Sequence, residues 1–102
     1  MFTHSHDGEF EQATIATLPQ APGAYRLMNA GRVLFVGLAS GARSLRSELN
    51  RHWRGDFGPL TQGASHFECL VAHTAAHAHE LYRNLYSSSG LGPDTARARI
   101  RN

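Results

Sequence analysis

Lysine is missing altogether from this 102-residue chain, and all ten basic residues are arginine. Against eight acids they leave a formal net charge of +2. Arginine carries a permanent charge on a planar fork that fits phosphate, which favours a polyanionic partner. A GC-rich coding sequence produces the same bias with no partner, so composition leaves both readings open. Cysteine is nearly missing too. A single Cys69 excludes an internal disulfide and a cysteine-only zinc site. Within a β-prone run it reads as a small hydrophobe. No apolar run reaches the length of a membrane span and no signal-peptide core is present, so the expected compartment is the cytoplasm, with no membrane partner. There is no internal repeat, and 102 residues suit one compact domain rather than two. A hydrophobic content of 41% is enough to fill a small core, which excludes global disorder.

The strongest local pattern lies between Pro22 and Gly37. Two β-prone runs, 24–28 and 33–36, flank Asn29, Ala30 and Gly31, residues suited to the positive φ of a tight turn. This predicts an antiparallel hairpin, followed by a glycine, a loop and a helix. In the helix, Ala42, Leu45, Leu49 and Trp53 form one apolar stripe, with Ser40 as its expected N-cap. Arg43, Arg46, Arg51 and Arg54 crowd the same segment, either as a phosphate-gripping cluster or as a solvated face partly balanced by Glu48.

Residues 1–17 read as a loose N-terminal segment, in which the 9–17 stretch is ambiguous between helix and extended chain before Pro19 and Pro22 end it. His4, His6 and Asp7 there have metal-ligand spacing, although a fraying polar terminus explains them as well. Beyond the first helix, 55–59 is a breaker and 60–65 reads as loop. A strand is predicted over 66–72, with Phe67, Cys69 and Val71 on one face. Thr74 then caps a helix over 75–87, with Ala78, Leu81, Tyr82 and Leu85 as its apolar stripe. Residues 91–102 form a basic tail with arginines at 97, 99 and 101.

The order of these features resembles the GIY-YIG nuclease superfamily. Gly23-Ala24-Tyr25 stands for the first half-motif and Phe35-Val36-Gly37 for the second, over a domain taken as 18–90. The resemblance implies an α/β (α+β) domain: a small, mainly antiparallel three-stranded sheet packed by two or more helices. It implies a metal-dependent endonuclease that hydrolyses phosphodiesters, with nucleic acid, DNA first, as its partner. Carried over residue by residue, the catalytic set is Tyr25, Arg46 and His52, and the nucleic-acid contacts are Arg43, Arg46, Arg51 and Arg54. Glu80 is the ligand for one Mg2+ or Mn2+ ion.

The chain departs from that pattern in several places. Phe35 replaces the second motif tyrosine and so lacks a hydroxyl that could bond water. Aligning Leu45 puts Glu48 at the family's helix arginine, with His52 four residues on. The metal ligand aligns with Glu80 through Ala76, or with Tyr82 through Leu85-Tyr86, and Asp94-Thr95 stands where the family often carries asparagine. Glu80 also lies about 160° around the helix from Ala78, away from the apolar stripe. These departures support an alternative of another class, a catalytically silent GIY-YIG-like module that binds nucleic acid or a protein. A further rival is a zinc site on His73, His77, Glu80 and Asn84, which share a polar helix stripe without the H-E-x-x-H pattern.

Overall fold

Two residues with positive φ, Ala30 at 52° and Gly31 at 79°, turn the chain between its central strands. A two-residue turn of this hand matches the right-handed twist of the strands it joins. On either side run β2 (Gly23–Asn29) and β3 (Arg32–Ala39), paired antiparallel as expected. A computed structural model of the chain describes residues 5–89. The expectations for His4, for Asp94-Thr95 and for the arginines at 97, 99 and 101 lie outside the described residues.

The other edge of β2 pairs antiparallel with β4 (His66–Val71), which in turn pairs with β1 (Ser5–Glu9). Among the described residues the sheet therefore has four strands, in the order β1-β4-β2-β3, where three were expected. The extra strand comes from the segment read as loose. Its sequence, Ser-His-Asp-Gly-Glu, has no apolar alternation and is almost wholly exposed. Its role is to satisfy the backbone groups along the outer edge of β4, which no local sequence signal announces.

Side chains alternate across β2 and divide the core in two. Tyr25 and Leu27 face one layer, with Phe67 and Cys69 from β4 and with Phe10, Ile15, Leu18, Leu45 and Leu49. Ile15 belongs to α1 (Gln12–Ile15), and Leu45 and Leu49 belong to α2 (Leu45–Trp53). Ala24 and Val36 face the opposite layer, against Ala78, Leu81 and Leu85 of α4 (Ala75–Ser88). Thr74 caps α4 as predicted, accepting a hydrogen bond from the His77 amide. Helix α2 begins later than expected. Ser44, not Ser40, is its N-cap, in a capping box with Ser47. A one-turn helix, α3 (Pro59–Gln62), occupies part of the segment read as loop, with proline in its first turn where a missing N–H costs nothing. Among the described residues no helix is long and apolar enough to cross a membrane.

Candidate active site

Tyr25 and Gly37, the last residues of the two half-motifs, are register partners across β2 and β3. A Cβ built at position 37 would lie 2.2 Å from Cζ of Tyr25 and 2.4 Å from its hydroxyl oxygen. The bare backbone of Gly37 is therefore what lets the tyrosine ring lie across β3. Gly23 meets a similar demand, since a Cβ there would lie 2.0 Å from the Leu70 carbonyl oxygen of β4. The spacing of the two half-motifs thus has a packing cause as well as a chemical one.

The Tyr25 hydroxyl lies 2.8 Å from Nε2 of His52, on α2. Tyr25 is 2% exposed and His52 fully buried. Burial pushes the Tyr25 hydroxyl well above its ordinary pKa, and the Glu48 carboxylate adds to the effect, so the phenol stays protonated. Burial, then the Arg51 charge, lowers His52 to about 4, so the imidazole is neutral near pH 7. Among the described residues, Nδ1 of His52 has no hydrogen-bond partner. With Tyr25 donating to Nε2, one buried polar group is left over. The reverse tautomer would strand the phenol proton as well, so the first arrangement is preferred. The pair is a hydroxyl donor on a neutral base.

Aromatic rings enclose it. Phe35, on the same sheet face, stacks against Tyr25 with ring centroids 6.2 Å apart and lies 4.8 Å from His52. Phe57, from the loop after α2, closes over His52 at 4.2 Å. Arg51 covers Phe57 in turn, its guanidinium carbon 4.5 Å from the ring centroid. Phe57 is a site residue that the sequence reading passed over. Its setting, between Gly55 and the Gly58-Pro59 pair, signals only a chain break.

Glu48 takes part in an unexpected way. It is 2% exposed, and its two oxygens each accept a hydrogen bond at 3.1 Å, from Arg43 Nη1 and from Arg51 Nη1. The remaining predicted arginines also have internal partners. Arg54 donates to Asp56 at 2.9 Å, and Arg46 donates from Nε to the Leu18 carbonyl at 2.7 Å, tying α2 to the segment after α1.

The structure thus brings together Tyr25, His52, Glu48, Arg43 and Arg51, while Arg46 turns towards Leu18. Glu80 does not converge on them. It lies on the exposed side of α4, and α4 packs on the sheet face opposite Tyr25. The rings of His73 and His77 stack 5.4 Å apart, but the His77 Nδ1 already accepts the His73 backbone N–H at 3.1 Å. Among the described residues no group of three or more His, Cys, Asp or Glu is disposed to hold a metal ion. Both Glu48 oxygens accept from arginines and Glu80 lies across the sheet, so the single-carboxylate cation site implied by the resemblance is not assembled beside Tyr25 among the described residues.

No family model matches the chain. Among curated proteins it is 39% identical over 83 residues to the UvrABC system protein C of Mesorhizobium japonicum, an overlap covering 76% of this chain and 12% of that relative. Among solved structures, the GIY-YIG N-terminal endonuclease domain of UvrC from Thermotoga maritima, bound to its catalytic magnesium, superposes with a TM-score of 0.61. That match has 23% sequence identity and covers 76% of this chain and 88% of that one. A tyrosine-to-phenylalanine point mutant of the same domain, also bound to its catalytic divalent cation, gives a TM-score of 0.60 at 24% identity, with the same coverage. The four-stranded sheet with helices on both faces is the fold of that domain.

Proposed function

We propose that this chain, which belongs to the GIY-YIG superfamily, is a nucleic-acid-processing domain that engages a phosphodiester beside the Tyr25–His52 pair, with DNA as its substrate. The observation that carries this reading is the 2.8 Å contact between the Tyr25 hydroxyl and a neutral His52. The balanced step is a relay: the attacking water gives a proton to the Tyr25 oxygen while the phenol's own proton moves to Nε2. No buried phenolate forms, and the weak basicity of His52 keeps the step slow. The charges of Arg43 and Arg51 act on Tyr25, so a phosphate near them would have its developing negative charge offset. Arg46 and Arg54 are the further backbone contacts, and each would have to leave its present partner to reach a phosphate. No step is routed through a metal ion, because the described residues assemble no cation site beside Tyr25. Mg2+ and Mn2+ enter as arms of the assay, with Glu80→Gln as the variant for a cation bound elsewhere.

One observation favours a second reading, a catalytically silent module that binds nucleic acid or a protein. Phe35 puts a ring without a hydroxyl against Tyr25 and helps to seal it from solvent. Oligonucleotide binding and plasmid nicking, with Mg2+, Mn2+ or EDTA, separate the two. The first reading expects salt-sensitive binding together with slow cutting that Tyr25→Phe and His52→Gln each reduce. Binding without cutting under any condition supports the silent module. No binding to DNA or RNA at low ionic strength overturns the nucleic-acid assignment.

A further inference from the structure

Glu48 is buried between two arginines that reach the surface, and the trio has the shape of an occupied anion site. The Glu48 side chain is 3% exposed, against 58% for Arg43 and 33% for Arg51. Each guanidinium takes one carboxylate oxygen, at 3.1 Å in both cases. A phosphodiester offers two non-bridging oxygens from one centre in a similar way, and guanidinium forks bind both kinds of anion. Arg51 is held by the Phe57 ring beneath its guanidinium, so its fork is set in place before any ligand arrives. Asp56 Oδ2 also lies 3.9 Å from Arg51 Nε and pairs with Arg54 at 2.9 Å, so the three arginines and two carboxylates together carry one net positive charge.

We propose that Arg43 and Arg51 form a two-armed phosphate site whose resident occupant is the chain's own Glu48 carboxylate, so that a nucleic-acid phosphate enters only by displacing it. This rests on the nucleic-acid reading above and adds a restraint to it. The tethered carboxylate competes at the high effective concentration of an intramolecular group. Simple anions are thereby excluded, while a polyanion that also engages other arginines can win the site.

Glu48→Gln tests this by removing the charge while keeping the shape. The probes are inorganic pyrophosphate, read by thermal shift, and a fluorescent oligonucleotide, titrated at several salt concentrations. Millimolar pyrophosphate should leave the melting temperature of the native chain unchanged and raise that of Glu48→Gln. Oligonucleotide affinity should rise about tenfold, since one charge-assisted contact is worth roughly that factor. The log–log salt slope should steepen by about one unit, for one more phosphate neutralised. Adding Arg51→Ala to Glu48→Gln should cancel both gains. Equal pyrophosphate responses in the native chain and Glu48→Gln overturn the proposal. A pyrophosphate gain with no oligonucleotide binding by either protein keeps the anion site and removes the nucleic-acid reading instead. If Glu48→Gln does not fold, Glu48→Asp draws the carboxylate back by one methylene and is measured with the same expected directions.

Discussion

A methyl group at position 37 would fall inside the van der Waals envelope of Tyr25, only 2.2 Å from its ring. Backbone and ring are both held by the sheet and core, so the clash must be relieved by moving the tyrosine. Gly37→Ala is therefore expected to destabilise the domain by roughly 1–3 kcal/mol, the usual range for overpacking. It should also break the Tyr25–His52 hydrogen bond. Gly63→Ala is the matched control, because a Cβ there meets nothing closer than 3.5 Å and its φ is −83°. Urea midpoints of the two variants against the native chain, with the imidazole signals of His52 followed by NMR, check both points. A Gly37→Ala variant as stable as Gly63→Ala would mean that the ring moves freely. The glycine itself stands out in the sequence, but the sequence does not say that its partner is Tyr25. That requires the pairing of the two strands.

Helix α2 carries most of the site, and one hydroxyl caps its first turn. Ser44 accepts a hydrogen bond from the Ser47 amide, while the Ser47 hydroxyl accepts one from the Ser44 amide. The Glu48 amide bonds to the Ser44 carbonyl at 2.9 Å, so the cap also positions the carboxylate that Arg43 and Arg51 share. Ser44→Ala should cost about 1 kcal/mol, the typical value for an N-cap. The loss should be concentrated in the first turn, so amide exchange should speed up at Ser47 and Glu48 well before it does at His52. Uniform acceleration along α2 would contradict this. From the sequence alone the helix was expected to start after Ser40, because Ala42 continues the apolar stripe. In the structure Ala42 is exposed, and Leu45 is tied through its amide to the Ala21 carbonyl at 2.9 Å. That tertiary bond decides between two serines of equal intrinsic capping strength.

Across the whole molecule, the buried imidazole links folding to pH. His52 titrates at about 4 in the folded chain and near 6.5 when exposed. The folded state thus resists a proton that the unfolded chain accepts. The contribution is fully present above pH 6.5 and is lost as pH falls from 6.5 towards 4, amounting to about 3 kcal/mol. Other groups titrate in the same window, so the difference between the native chain and His52→Gln is the quantity to measure. Denaturation at pH 7 and pH 4.5 should show a smaller acid loss in the variant. Equal acid losses would place the titration in other residues.

The hairpin, the β4 strand and the two long helices are legible in the sequence. Each of these depends on local spacing: turn residues between β-prone runs, alternation, and apolar residues three and four apart. The family resemblance is legible there too, since the two half-motifs lie within one hairpin. The remaining features depend on contacts between distant segments. Strand β1 exists because an open sheet edge needs partners, and its own residues carry no β signal. Glu80 and Tyr25 lie on opposite sides of the sheet because alternation along β2 puts Tyr25 towards α2 and Ala24 towards α4. A helical period fixes which residues share a face of α4, but not which face of the sheet the helix covers. Glu48 reads in sequence as an acid at the place of a basic residue. Only folding shows that two arginines surround it, because Arg43 lies in the loop before α2 and Arg51 one turn further along the helix. Phe57 had no periodicity to announce it, and it became part of the site when the loop after α2 folded back over His52.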